Sequence, residues 1–347
     1  MTAYLAEETP GKNWGATTIK FVLFLGLGLF ISWLTLRGLS QSEKQQILNS
    51  FRIANYNWVI LAVLLGILSH VLRALRWRLF LEPLGYHPSL KTTFFAVMVG
   101  YFANMAFPRL GEVTRCGILA KYEKIPFNRS FGTVITERAI DMFLFFALFV
   151  LMVFTQVGTI DRYLDTNIYP KLAEKFANPL FSRMFFFFSA ALVIGFVLIL
   201  VMLRKKIAAS VIFKKIVKLA LGFWEGIKSL SQVKKPGLFI FYSLAIWVLY
   251  FLMLYVCFFC FSETTRLSPG AGLSSLVLGS IGIMVTPGGI GLYPAIIQET
   301  LILYGIAKTT GLALGWIAWT AQTSMILFVG GASLILLSFN KQFNGKA

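Results

Sequence analysis

Acidic side chains, histidine and cysteine are all scarce in this chain, and each scarcity closes off a class of function. Fourteen Asp and Glu stand against 32 Lys and Arg, with 2 His and 3 Cys in 347 residues. Two histidines, of which His87 is loop-borne, cannot supply a Ser/His/Asp or Cys/His nucleophile set. Metal spacings such as H-E-x-x-H or paired C-x-x-C are missing, so no metal and no cofactor is expected. A G-x-x-x-x-G-K-[ST] phosphate loop is missing too, which argues against nucleotide-driven pumping by this chain alone. Asp161-Arg-Tyr-Leu-Asp165 is one weak acidic pair, less than an intramembrane transferase using metal-bound diphosphate needs. Three cysteines give no disulfide framework. Cys257-Phe-Phe-Cys260 lies in an aromatic-rich apolar run and reads as two small buried residues. No stretch between apolar runs exceeds the ~50 residues of a soluble domain. The chain is not expected to be an enzyme.

Charge of either sign is also short: 13% of residues are charged and 57% hydrophobic, where about 25% charged is usual for soluble domains. Apolar runs of spanning length recur from end to end, which makes this an all-α polytopic membrane protein. A barrel would show ~10-residue alternating segments instead. The first run, Phe21 to Leu36, has no small-residue cleavage site after it and reads as a retained helix. The formal charge of +18 is concentrated in loops between apolar spans. That is an orientation signal, and no nucleic-acid partner is expected.

Six segments are long enough to cross a ~30 Å core: Ala16 to Arg37, Trp58 to Arg78, Phe131 to Val157, Met184 to Leu203, Leu238 to Phe261 and Leu312 to Phe339. Two further apolar regions, Leu90 to Leu119 and Leu273 to Ile306, are interrupted by proline and glycine and read as re-entrant segments. The loop 204–235 carries nine Lys/Arg against Glu225, which places it on the cytoplasmic side. Within it, Ile212, Ile216, Leu219, Phe223, Ile227 and Leu230 recur at helical spacing, as in a basic amphipathic helix lying on the inner leaflet. Both termini then fall in the cytoplasm.

The whole chain, 1–347, is expected to be a single transmembrane domain. Its halves, 16–157 and 182–339, share one pattern in opposite orientation, an inverted repeat with a broken segment in each half. Paired breaks of this kind point to a substrate site near the midplane.

Against this apolar background, charge gathers in two motifs, Asn104-Met-Ala-Phe-Pro-Arg-Leu-Gly-Glu-Val-Thr-Arg115 and Thr136-Glu-Arg-Ala-Ile-Asp141. Ionisable groups in a spanning helix cost several kcal/mol unless paired or wetted, so they default to a functional site. Glu137 and Asp141 are one turn apart on one helix face and need a cationic partner or water. Arg138, Arg109, Arg115 and Arg73 are the candidate partners. A buried ion-pair network that fixes helix register is one reading; a polar cavity holding a headgroup, or a carboxylate that takes up and releases a proton during a cycle, is the other. Pro108 interrupts the incoming helix, and Gly111 is expected to supply a backbone angle closed to other residues. Free N–H groups at the new helix start suit an anion, and Arg109 and Arg115 add bidentate donors suited to phosphate. Glu112 complements an amine or holds these arginines. Pro287, Gly288, Gly289 and Gly291 form the second, nearly uncharged break, with Glu299 its nearby acidic group. Arg73, Arg76 and Trp77 share one face of the second span; Arg78 reads as an interfacial anchor, and His70 as a structural residue.

The order Leu72-Arg-Ala-Leu-Arg-Trp77, Asn104…Pro108-Arg-Leu-Gly-Glu112…Arg115, Glu137-Arg-Ala-Ile-Asp141 and Pro287-Gly-Gly-Ile-Gly291 resembles the transmembrane region of lysylphosphatidylglycerol synthases. It is equally similar to their stand-alone relatives, the flippase-like membrane proteins of bacteria and archaea. The resemblance spans nearly the whole chain. It implies the lipid-translocating half without the aminoacyl-transferase domain that follows it in two-part members, since the sequence stops at Ala347. It also implies a multi-pass protein of a bacterial or archaeal cytoplasmic membrane, and it does not identify the lipid; the expectation of a phosphate-bearing headgroup as partner rests on Arg109 and Arg115. A separately encoded lipid-modifying enzyme would be a second partner. The rival expectations are a non-transporting partner of a lipid-modifying enzyme or glycosyltransferase, and a small-solute secondary transporter.

Overall fold

A computed structural model describes residues 14–107, 109–167 and 233–339, with positions 170, 177, 183, 184 and 187 between them. The span expected over Met184 to Leu203, the amphipathic segment Ile207 to Leu230, most of the 204–235 loop and Pro108 lie outside the described residues. Among those described there are ten α-helices and no strand.

The first half contributes α1 (Trp14–Arg37), α2 (Gln41–Ile53), α3 (Tyr56–Leu81), α4 (Leu90–Ala106), α5 (Leu110–Tyr122) and α6 (Phe127–Asn167). The second contributes α7 (Pro236–Tyr255), α8 (Pro269–Val285), α9 (Leu292–Ile302) and α10 (Lys308–Phe339). Four segments, Tyr56–Leu84, Phe127–Thr159, Pro236–Cys260 and Lys308–Phe339, are long and apolar enough to cross a membrane. They coincide with four of the six expected spans. Of α1, Leu25–Arg37 qualifies as a shorter apolar helix, as does Pro269–Val285. Large apolar side chains such as Phe154, Phe328 and Phe339 stand exposed on these helices, far more than a water-facing surface carries as one patch.

Helix starts follow local chemistry. Ser40 and Glu43 close a capping box on α2, Asn55, Ser89 and Ser268 cap α3, α4 and α8, and Pro236 stands in the first turn of α7. Two apolar cores occupy the two ends of the bundle. One joins Leu39, Ile47, Cys257, Phe258, Leu301 and Leu312 at the end where α3 begins. The other joins Trp77, Leu81, Leu119, Ile125 and Phe239 at the end where α3 stops. The free thiols of Cys257 and Cys260 are buried, as their apolar setting suggested.

Each half holds a helical hairpin between two long helices. In the first, α4 reaches Phe107, which is extended (φ −144°, ψ 123°) before Pro108, and α5 returns along it. In the second, α8 reaches Thr286, extended (φ −114°, ψ 148°) before Pro287, and α9 returns. Proline crowds the residue before it out of the helical region, so both helices stop at the same chemical signal. Each incoming helix has 17 residues, which carries each tip ~25 Å from its own end at ~1.5 Å per residue. The hairpins start from opposite ends of the bundle, and α4 touches the Pro287–Gly289 turn of the other.

Candidate functional site

Small residues set the hairpins. Gly111 on α5 lies so close to α4 that a Cβ there would overlap the Gly100 carbonyl oxygen and the Asn104 side chain. Asn104 Oδ1 accepts a hydrogen bond from Gly111 N at 2.7 Å, so one of the free N–H groups expected at this helix start is already bound. Gly111 is itself helical. The left-handed backbone angle expected of it belongs to Arg109 (φ 69°, ψ 0°), which caps α5 and is exposed. The reason is position: the chain must reverse between Phe107 and Leu110, two residues before the glycine, and Gly111 serves close approach instead.

In the second hairpin Gly288, Gly289 and Gly291 all take positive φ (62°, 75° and 70°), as their type allows. Trp319 Nε1 donates to the Gly288 carbonyl at 2.7 Å. Gly291 packs against Ser32 Oγ and the Gly28 carbonyl of α1.

The charged side chains converge from α3, α5 and α6. Glu137, fully buried on α6, has Oε1 2.8 Å from Arg73 Nη1 and 3.0 Å from Arg76 Nη2, and Oε2 2.9 Å from Arg115 Nη2. Asp141, one turn on, lies 2.8 Å from Arg73 Nη1 and 2.8 Å from Arg76 Nη1. Tyr250 of α7 accepts from Arg73 Nη2 at 3.0 Å, and Ser243 from Arg76 Nη1 at 3.3 Å. The Arg115 guanidinium stacks 4.7 Å from the Trp77 ring, whose Nε1 donates to Thr133 Oγ1 at 2.9 Å. Tyr101 flanks Arg73 at 5.9 Å and packs against His70 with ring centroids 4.6 Å apart and the planes tilted by 45°.

Three guanidiniums therefore meet two carboxylates in one buried cluster, leaving one positive charge in excess. The Nε–H groups of Arg73, Arg76 and Arg115 are buried without a hydrogen-bond partner. Beside the cluster, Arg138 Nη2 pairs with Glu112 Oε1 at 2.8 Å; the Arg138 side chain is 42% exposed, and a pair this open contributes about 1 kcal/mol or less. Arg109, Glu112 and Arg115 follow at three-residue spacing and step from exposed through half-buried to buried. They form a polar stripe from the hairpin tip to the cluster.

Two of the four candidate partners of Glu137 and Asp141, Arg73 and Arg115, do pair there. Arg138 turns to Glu112 instead, and Arg109 stays at the tip. Arg76 is the partner that sequence reasoning did not name for these carboxylates, although it had placed Arg76 on the face of Arg73. Ser243 and Tyr250 were missed as well; seven residues apart on one apolar helix, they share a face, and that spacing was the available signal. At the second tip the Pro287–Gly289 turn meets α4, Gly288 is held by Trp319 of α10, and Gly291 packs on α1. Glu299 stands away from the turn, exposed, and accepts from Gln298 Nε2 at 2.7 Å. Among the described residues no cluster of His, Cys, Asp and Glu is arranged to hold a metal.

Comparison with known proteins bears on the whole assembly. A UPF0104 membrane protein of Methanocaldococcus jannaschii is 40% identical over 116 residues, which cover 32% of this chain and 34% of that protein. The aligned stretch thus spans about a third of the relative's length. No solved structure matches. The model of the lysylphosphatidylglycerol synthase TM region matches residues 18–330, a span that includes both hairpins and every residue of the charged cluster, and the chain belongs to that family of membrane proteins.

Proposed function

We propose that this protein moves a lipid with a phosphate-bearing headgroup between the leaflets of a membrane. The observation that carries the reading is the charge balance of the buried cluster: Arg73, Arg76 and Arg115 against Glu137 and Asp141. One cation in excess, deep among spanning helices, is costly unless an anion visits it. Guanidiniums with unused N–H donors suit phosphate in particular, because their planar fork matches its oxygens.

The headgroup enters along the stripe of Arg109, Glu112 and Arg115, passes Glu137 and Asp141, and reaches the Pro287–Gly291 turn, while the acyl chains stay in the bilayer. Ser243 and Tyr250 already occupy donors that phosphate oxygens can take over, so the exchange trades one hydrogen bond for another. The energy source is a lipid gradient, a proton carried by Glu137 or Asp141, or none. The chain itself carries out no bond chemistry in this reading.

The topology that goes with it has six spans and two re-entrant hairpins. The order span, hairpin, span in α3 to α6 and again in α7 to α10 supports two inverted halves. With the basic 204–235 loop inside, both termini are cytoplasmic. A second reading, a brace in a non-transporting partner of a lipid-modifying enzyme, is favoured by the engagement of both Glu137 oxygens.

The test is leaflet exchange of labelled lipids in proteoliposomes. Phosphate-bearing lipids should exchange faster than a phosphate-free lipid with the same chains. Folded protein that exchanges no anionic, zwitterionic or aminoacylated phospholipid would move the assignment to the brace.

A further inference from the structure

Away from the charged cluster, a groove of about 720 Å³ runs between α1, α2, α3 and α10. Its walls are apolar along nearly their whole length: Phe51 from α2, Val59 and Val63 from α3, Leu312 and Trp316 from α10. From Leu312 to Ser324, which both line it, α10 advances ~18 Å at ~1.5 Å per residue. That is close to the ~15 Å depth of one leaflet in a ~30 Å hydrocarbon core. Thr320 and Ser324 are the polar residues at its deep end, and one cation, Lys44, stands at the α2 end.

The groove is thus apolar along its length and cationic at one mouth. Lys44 forms no ion pair among the described residues. Its acidic neighbour in the sequence is turned to the helix start, where Glu43 Oε2 accepts from Ser40 N at 2.7 Å in the α2 capping box. Helices α3 and α10 are long and apolar enough to cross a membrane; in that setting what the groove meets along its sides is hydrocarbon, and hydrocarbon is what fills an apolar slot there. A free ammonium at headgroup level adds a preference for negative charge.

We infer that this groove is a seat for one anionic phospholipid, its acyl chain lying along Val59, Val63 and Trp316 and its phosphate against Lys44. The seat shares no residue with the charged cluster and does not depend on translocation. An annular lipid held here would add to the packing that already joins α2 to α10.

Trp316 lies in the wall, which gives a direct readout. The full chain is reconstituted in phosphatidylcholine vesicles containing a minor fraction of lipid brominated on its acyl chains, carried either by phosphatidylglycerol or by phosphatidylcholine. Quenching at Trp316 is taken as the difference between wild type and Trp316→Phe. At equal mole fraction the phosphatidylglycerol probe should quench Trp316 at least twofold more strongly. Lys44→Gln, a change at a half-exposed side chain, should abolish that preference, and Val63→Phe should reduce quenching by both probes. Equal quenching by the two headgroups in wild type would overturn the assignment. So would a preference that survives Lys44→Gln, or a Trp316 that neither probe reaches because a second copy of the chain covers the groove.

Discussion

Replacing Glu137 by glutamine should destabilise the folded protein by about 3–5 kcal/mol, the cost of breaking a buried pair by removing one partner. Glu137 is the hub of the cluster: Arg73 and Arg76 share Oε1, and Arg115 holds Oε2. The amide removes the one charge that touches all three guanidiniums and sets an NH₂ against cations. Helices α3, α5 and α6 then face one another through uncompensated positive charge, in a setting where water cannot screen it. Asp141→Asn should cost less, because Asp141 meets two arginines and is 11% exposed where Glu137 is 0%. Thermal unfolding of the purified protein in detergent gives the order wild type, Asp141→Asn, Glu137→Gln. A Glu137→Gln protein as stable as wild type would mean that the ion pairs contribute nothing net to the fold.

Gly111→Ala should reverse the usual sign of a glycine-to-alanine change in a helix. At an exposed helical site alanine gains up to about 1 kcal/mol. At Gly111 the new methyl would overlap the Gly100 carbonyl oxygen and Asn104, and neither is the free end of a flexible chain. Overpacking of this kind costs about 1–3 kcal/mol, and it pushes α5 off α4. Arg115, one turn further along α5, moves with it, so leaflet exchange should fall as well. Gly117→Ala is the matched control: it stands in the same helix with nothing within 4 Å of the added methyl, and it should be neutral or stabilising. Equal melting temperatures for the two variants would contradict the close packing.

Much of this arrangement was legible in the sequence because it rests on strong local signals. Apolar runs fix the long helices, and X-Pro steps at Phe107 and Thr286 fix the hairpin tips. Charge in an apolar chain must be paired or used, which marked Glu137 and Asp141 before any geometry. Which arginine goes where was less legible. Arg76 and Arg138 both lie within reach of the carboxylates along the sequence pattern, but helix rotation sends Arg76 inward and Arg138 toward Glu112. The position of the left-handed residue was hidden for a related reason. Glycine is the usual occupant, yet the turn falls at Arg109, so a charged side chain bears a strain of about 1–2 kcal/mol. The groove with Lys44 left no sequence signal at all, since its walls come from four helices and none of their residues is unusual.

That strained arginine offers the most direct test of lipid translocation. Arg109→Gly removes an exposed charge at the hairpin tip and relieves the left-handed strain, partly offset by the greater backbone entropy that glycine loses on folding. The melting temperature should therefore stay within a few degrees of wild type, and the packing of the buried cluster is untouched. On the proposed path the headgroup loses its first guanidinium, so leaflet exchange of an anionic phospholipid should nevertheless fall at least tenfold in Arg109→Gly proteoliposomes. Exchange at the wild-type rate in a folded Arg109→Gly protein would contradict a headgroup path along Arg109, Glu112 and Arg115.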